Sequence, residues 1–244
     1  AVAVAGQLAQ GGVPGLGRGF GLCVPLMGGH FGSGGTIQAQ LVTGRKREPR
    51  GFPPSSDMLG EAAATAEDAQ RYYFAYEHAI HAIGRAAAGR GIYDGPGISI
   101  KLSALHPRYS RAQRTRVLVE LLPKLRALTM LARQYDIGLN IDAEEADRLD
   151  LSLDLLEALC FDAAFAGWDG IGFVVQSYQK RAPFVLDHLI DLARRSRQRL
   201  MVRPVKGASW DTESKRAKVD GLDDYPEYTR NVNARVSSLA CVTR

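Results

Sequence analysis

The chain has 244 residues, 45% of them hydrophobic, which suffices for one sizeable core and matches the make-up of an ordinary soluble enzyme. The absence of any run of 18 apolar residues excludes a membrane-spanning helix, and three widely spaced cysteines (Cys23, Cys160, Cys241) exclude a CxxC metal pair or a disulfide framework and point to a reducing, cytoplasmic setting. The net charge of +5 is spread over segments that also carry acids, which argues against a nucleic-acid face, while peripheral attraction to an anionic membrane surface is compatible with it.

The opening Ala1-Val2-Ala3-Val4 has neither an initiator Met nor the charged-then-apolar pattern of a signal peptide, and reads as a position inside a longer chain. Residues 1–54 hold about half of the 26 glycines, with Pro14, Pro25, Pro49, Pro53 and Pro54. Their periodicity is poor, which predicts an irregular Gly/Pro-rich N-terminal segment. Gly15, Gly17, Gly19 and Gly21 alternate without forming a GxGxxG after a strand, so no dinucleotide fingerprint is present.

From residue 55 to 244 short apolar runs alternate with amphipathic stretches. Ser56–Leu59 is a weak first strand, followed by an Ala-rich helix over Gly60–Ala88. Its His78 and His81 are three apart, but no acidic or Cys partner is identifiable, and they read as surface or helix-packing residues. Gly97–Leu102 is the second strand. Ser110–Tyr135 is helical, with Ser110 at the N-cap and an apolar stripe of Val117, Leu118, Leu121, Leu122, Leu125, Leu128 and Leu131. Pro123 predicts a kink there, or two shorter helices. Ile137–Asp142 is the third strand and Glu144–Cys160 the next helix. Ile171–Gln176 is the fourth strand, and Arg181–Arg197 a helix whose terminal basic cluster, Arg194 to Arg199, suits the helix dipole. Leu200–Val205 is the fifth strand, and Tyr225–Thr243 a further helix with Pro226 in its first turn.

Strands rich in Ile, Leu and Val alternating with helices imply right-handed βαβ units and a parallel sheet buried on both faces. Five consecutive units suit a (β/α)8 barrel or a doubly wound sheet. Each strand ends in a polar residue, in order Asp57, Lys101, Asp142, Gln176 and Arg203. In a parallel sheet these ends share one face, where active sites form. Charges beside apolar strand interiors cost free energy unless paired or used, so five in register point to a functional rim. Arg203 leads into Val205-Lys206-Gly207-Ala208-Ser209-Trp210-Asp211. The glycine lets backbone approach a bulky ligand, two cations suit a phosphate or a reduced-flavin anion, and an indole can cover a planar ring. A basic turn with a core Trp is the plainer reading of that stretch alone. Ser209 lacks a GxSxG context, and Lys101 at a strand end admits an aldolase-like Schiff base.

Gly97-Ile98-Ser99-Ile100-Lys101-Leu102-Ser103-Ala104-Leu105-His106-Pro107-Arg108-Tyr109, Asn140-Ile141-Asp142-Ala143-Glu144-Glu145-Ala146, Gly172-Phe173-Val174-Val175-Gln176-Ser177-Tyr178 and Arg203-Pro204-Val205-Lys206-Gly207-Ala208 closely resemble the proline dehydrogenase domain of bacterial bifunctional proline utilization A proteins. The resemblance implies an α/β fold, a partial TIM-type barrel with about five of the eight βα units. It implies non-covalent FAD, oxidation of L-proline to 1-pyrroline-5-carboxylate, electron transfer to quinone, and an aldehyde dehydrogenase domain in the full-length parent. By the same resemblance Lys101 contacts the proline carboxylate, Asp142 belongs to an active-site ion-pair network, and Arg203 lies beside the reactive flavin edge. Ala143, Gln176, Lys206, Gly207, Ala208 and Trp210 contact FAD; no metal is implied. The chain departs from the family pattern in stopping within the fifth unit, in Ser209 where the family has Tyr, and in Pro204 where it has Leu. A central-strand proline is expected to remove a ladder hydrogen bond. An inactive truncated relative is the non-enzyme alternative.

Overall fold

The computed structural model describes residues 55–57, 62–207 and 209–244, together with Ile37 and Leu41, which are helical. The expectation for residues 1–54 otherwise lies outside the described residues, as does that for Ala208. The elements run β1 (Ser55–Ser56), α1 (Ala66–Ala87), α2 (Gly91–Asp94), β2 (Gly97–Ile100), α3 (Leu102–Leu105), α4 (Arg114–Glu120), α5 (Leu122–Gln134) and β3 (Leu139–Ile141). They continue with α6 (Leu149–Cys160), β4 (Ile171–Gln176), α7 (Ala182–Ser196), β5 (Met201–Val205), α8 (Trp210–Val219) and α9 (Asn231–Thr243).

All five strands are parallel and lie in sequence order, β1-β2-β3-β4-β5. A doubly wound sheet reverses its strand order at a switch point, whereas a barrel does not. The sheet is therefore the barrel type, as a half-barrel of five strands.

Strand alternation gives that sheet two chemically different faces. Ile98, Ile100, Leu139, Ile141, Ile171 and Phe173 form one face, are almost wholly buried, and pack toward the helices. Burial of each is worth about 1.5–3 kcal/mol. The other face carries Ser55, Ser99, Asn140 and Gly172, matched by the pairings Ser99 with Asn140 and Asn140 with Gly172. The Ser55 and Ser99 hydroxyls lie 3.3 Å apart. Continuing the register by two residues brings Lys101, Asp142 and Val174 into one row with Arg203, the partner of Val174. The polar strand ends thus share one face because the pairing sets them in phase.

Around the sheet, α1 opens with a capping box at Thr65 and Asp68. It packs against α5 at a close crossing, where a Cβ on Gly84 would stand 2.1 Å from the Tyr135 ring. The Tyr135 hydroxyl in turn meets His81 Nδ1 at 2.8 Å, which makes His81 a helix-packing residue. Pro123 divides the long helical stretch into α4 and α5, as its missing N–H requires.

Ser110 holds the expected N-cap position, ahead of a 3-10 turn over Arg111–Gln113 that leads into α4, although its side chain makes no capping bond. Other expectations are corrected. Pro226 precedes α9, which begins at Asn231. The first turn after β2 is the short helix α3, and α8 is an additional helix that the sequence reading left unassigned. Pro204 removes no bond from the β4–β5 ladder. Val205 presents its carbonyl to the Ser177 N–H at 2.8 Å, so alternation turns the Pro204 nitrogen toward the opposite edge of β5.

That edge of β5 has no partner among the described strands, and α9 presents Val232, Val236, Leu239 and Val242 to solvent on one side. Apolar stripes and open strand edges of this kind drive association. The 244-residue chain alone is expected to self-associate at micromolar concentration. The pair of substitutions Val236→Glu and Leu239→Lys should reduce that association in sedimentation velocity; unchanged sedimentation would place the contact elsewhere.

Candidate functional site

The polar face opens into a cleft of about 670 Å³ at the C-terminal ends of the strands. Asp57, Lys101, Asp142, Gln176 and Arg203, the five strand-end residues, all line it, together with Ala143, Lys206, Gly207 and Ser209. Of the residues singled out in the sequence, Trp210 stands apart from this lining. It begins α8, and its ring lies 6.3 Å from that of Tyr178.

The cleft is organised by the loop that follows β3. The Asp142 N–H donates to the Ile100 carbonyl at 2.8 Å, which fixes the loop's start to β2. Arg203 Nη2 donates to Asp142 Oδ1 at 3.0 Å, joining β5 to β3 through an ion pair whose carboxylate is largely buried. The Nε of Arg203 is buried and has no hydrogen-bond partner among the described residues. A buried donor of a cation left open costs about 1–3 kcal/mol, so it suits an incoming acceptor. Gln176 Nε2 donates to the Glu144 carbonyl at 2.7 Å. The Glu144 carboxylate accepts the Ser103 N–H at 3.0 Å and pairs with Arg148 at 2.8 Å. Ala146 is gripped from both sides: its N–H donates to Glu213 Oε1 at 2.6 Å, and its carbonyl accepts from Arg181.

Lys101 has no ion-pair partner among the described residues, and its backbone N–H donates to the buried Tyr76 hydroxyl at 2.9 Å. Lys101 thus lines the cleft on a backbone held by α1. On the far side Lys206 is exposed, and its carbonyl accepts the Tyr178 N–H at 3.0 Å. Gly207 has φ +141°, and a Cβ there would fall 2.2 Å from the Tyr178 ring. Only glycine fits this backbone.

Glu144, His106 and Tyr109 also line the cleft, and the sequence reading gave them no role. The Glu144–Arg148 spacing of four is the signal that was present. His106 Nδ1 accepts the Arg108 N–H at 3.1 Å, which leaves Nε2 to donate to Glu120 at 3.0 Å. Both ring nitrogens are thereby committed to structure.

Glu213 is 5% exposed. Burial raises its pKa above the ordinary 4.5, the Ala146 N–H opposes that rise, and Glu145, Asp147 and Glu227 reinforce it. An acid with a raised folded-state pKa holds its proton longer in the folded than in the unfolded chain. Its ionisation therefore costs stability as pH rises from 4.5 through the folded value. The thermal midpoint of Glu213→Gln relative to the parent protein should increase across that range and then level off. A difference that stays constant with pH would show that Glu213 ionises as it does in the unfolded chain. Separately, Gly207→Ala should lower stability by about 1–3 kcal/mol, read as a drop in the urea midpoint, because strain and the Tyr178 contact both oppose it. An unchanged midpoint would mean that the loop relaxes freely.

Comparison with known proteins gives a consistent result. The profile of the family described as "Proline dehydrogenase" matches residues 41–244. The bifunctional protein PutA of Klebsiella aerogenes is 63% identical over 237 residues, covering 97% of this chain and 18% of that protein. Its Escherichia coli counterpart is 62% identical over the same shares. The solved structure of a Bradyrhizobium japonicum proline utilization A variant matches with a TM-score of 0.81 at 47% identity, covering 97% of this chain and 24% of that one. The chain thus spans less than a quarter of the length of these relatives.

Proposed function

The chain belongs to the proline dehydrogenase family, and we propose that its cleft holds FAD and L-proline together for oxidation of proline to 1-pyrroline-5-carboxylate, with electrons passing on to a quinone. The observation that carries this reading is the row of Lys101, Asp142 and Arg203 at one cleft wall. It combines a cation without an ion-pair partner, a carboxylate, and a second cation tied to that carboxylate.

The residues fit a large anionic cofactor with a planar ring. Arg203 offers a buried open donor, Lys206 adds a second positive charge, and Gly207 lacks the Cβ that would crowd the segment. Ala143, Gln176, Arg203, Lys206 and Gly207 are the described residues that would hold FAD. Trp210 would lie at the margin, beside Tyr178. When bound, FAD supplies the acceptor for the hydride and so the two-electron chemistry.

The chain's own contribution is placement and charge. Lys101 is a compact point charge suited to the proline carboxylate. The Asp142 carboxylate holds the Arg203 guanidinium in one orientation, so its positive charge stays fixed as negative charge develops nearby. Such preorganisation is most effective where water is excluded, and the Asp142 side chain is only 14% exposed. No described helix is long and apolar enough to cross a membrane.

The test is anaerobic reduction of bound flavin by L-proline, followed by its absorbance near the flavin band. In the FAD-loaded full-length protein, Lys101→Ala should raise the proline KM about tenfold or more with kcat nearly unchanged, because a carboxylate contact acts equally in ground and transition states. Arg203→Ala should weaken FAD retention and lower turnover together. Protein that binds no flavin, or borohydride trapping of a substrate on Lys101, would replace this reading with Schiff-base chemistry or a non-catalytic role.

A further inference from the structure

We propose that Glu213 is a positioning residue for the cofactor segment Lys206–Trp210, which it fixes to the loop following Asp142. This inference rests on the reading of the cleft as an FAD site. Glu213 itself lies outside the lining of the cleft.

Among its described residues the cofactor segment makes few backbone hydrogen bonds where it leaves the sheet, although Gly207 and Trp210 lie against Tyr178. Beyond Val205, its described backbone ties are the Lys206 carbonyl to the Tyr178 N–H and the Ser209 carbonyl to the Glu213 N–H at 2.9 Å. Its placement therefore depends on the helix it runs into. That helix, α8, buries only Glu213 and Ala217 among its ten residues. With so little apolar surface, packing alone fixes its position poorly.

Three polar contacts supplement that packing: Ser214 donates to Glu227, which ties α8 to the segment before α9, and two others reach the loop after β3. Arg216 forms a bidentate pair with Asp147 at 3.0 and 2.9 Å, but both side chains are nearly half exposed, and such pairs contribute little. Glu213 instead places a buried carboxylate 2.6 Å from the Ala146 N–H, a charge-assisted bond of the stronger kind. The anchor point is rigid, because Arg181 holds the carbonyl of the same residue. Among the described residues no cation pairs with Glu213, and Glu145 and Asp147 from the loop, with Glu227 from the segment before α9, all disfavour its charge. A hydrophobic residue would fill this place without that cost. The carboxylate's use lies in the hydrogen bond, which joins the Asp142 loop to the helix carrying the cofactor segment.

Reach, more than charge, is then the property required. Aspartate keeps the charge but is one methylene too short, whereas glutamine keeps the length and an acceptor oxygen. In the full-length protein, freed of flavin and titrated with FAD by fluorescence quenching, Glu213→Asp and Glu213→Leu should each raise the FAD Kd about tenfold, equivalent to about 1.4 kcal/mol. Glu213→Gln should return it to within about threefold of the parent, and at saturating FAD the proline KM should stay within about twofold in all three, because Lys101 is held separately by Tyr76. If Glu213→Leu does not fold, Glu213→Asp decides. A parent that binds FAD and is reduced by proline, alongside a Glu213→Asp protein of unchanged FAD Kd, overturns this inference alone. So does a Glu213→Gln protein no better than Glu213→Asp. A parent that binds no FAD overturns the functional reading and this inference with it.

Discussion

The loop from Asp142 to Arg148 is the point on which the cleft depends. It donates a strand-end hydrogen bond to β2, and takes side-chain contacts from β4 and β5 and a buried carboxylate from α8. β4 and β5 carry residues of the cleft, and β2 and α8 directly adjoin two others, Lys101 and Ser209. Fixing one loop to all of them therefore fixes their mutual distances, which parallel pairing alone leaves undefined past the last ladder bond. Polar contacts suit this task better than apolar packing, because hydrogen bonds are directional and packing of short irregular backbone is not.

Surface electrostatics have a smaller part. Pairs such as Arg195 with Asp191 and Arg114 with Asp154 join neighbouring turns or helices at exposed positions, where salt and side-chain entropy leave them worth little. The Asp142–Arg203 pair differs because its carboxylate is largely out of water and because Arg203 keeps one donor uncommitted. It is a balanced charge pair with spare hydrogen-bonding capacity, on a residue that lines the cleft.

Much of this was legible in the chain. The strand pattern announced itself through the Ile, Leu and Phe that face the helices at alternate positions, although Ser99 and Asn140 make the other face polar. Asp57, Lys101, Asp142, Gln176 and Arg203 could be placed at one rim because every strand is parallel and ends in a polar residue. Pro123 marked a helix division for a local reason, its missing N–H. Elements whose stability is not local were missed. Helix α8 carries almost no apolar face to read, being held by Glu213 and Arg216 through partners more than 60 residues away. Pro226 resembles a helix start yet does not serve as one, and Ser110 stands at an N-cap without its side chain bonding there. Local signals permit a cap without requiring it.

Pro204 shows the same division. Composition marks it as a misfit in a strand, but only the pairing shows which edge its nitrogen faces. The sequence by itself determined the kind of fold, the phase of its polar residues and the family, because periodicity, strand ends and motif order are properties of the linear chain. Which of those polar residues touch was decided by tertiary structure alone. The Asp142–Arg203 contact, the open Nε of Arg203 and the Glu213–Ala146 bond depend on distances between segments brought together only when the sheet forms, and no local pattern encodes those distances.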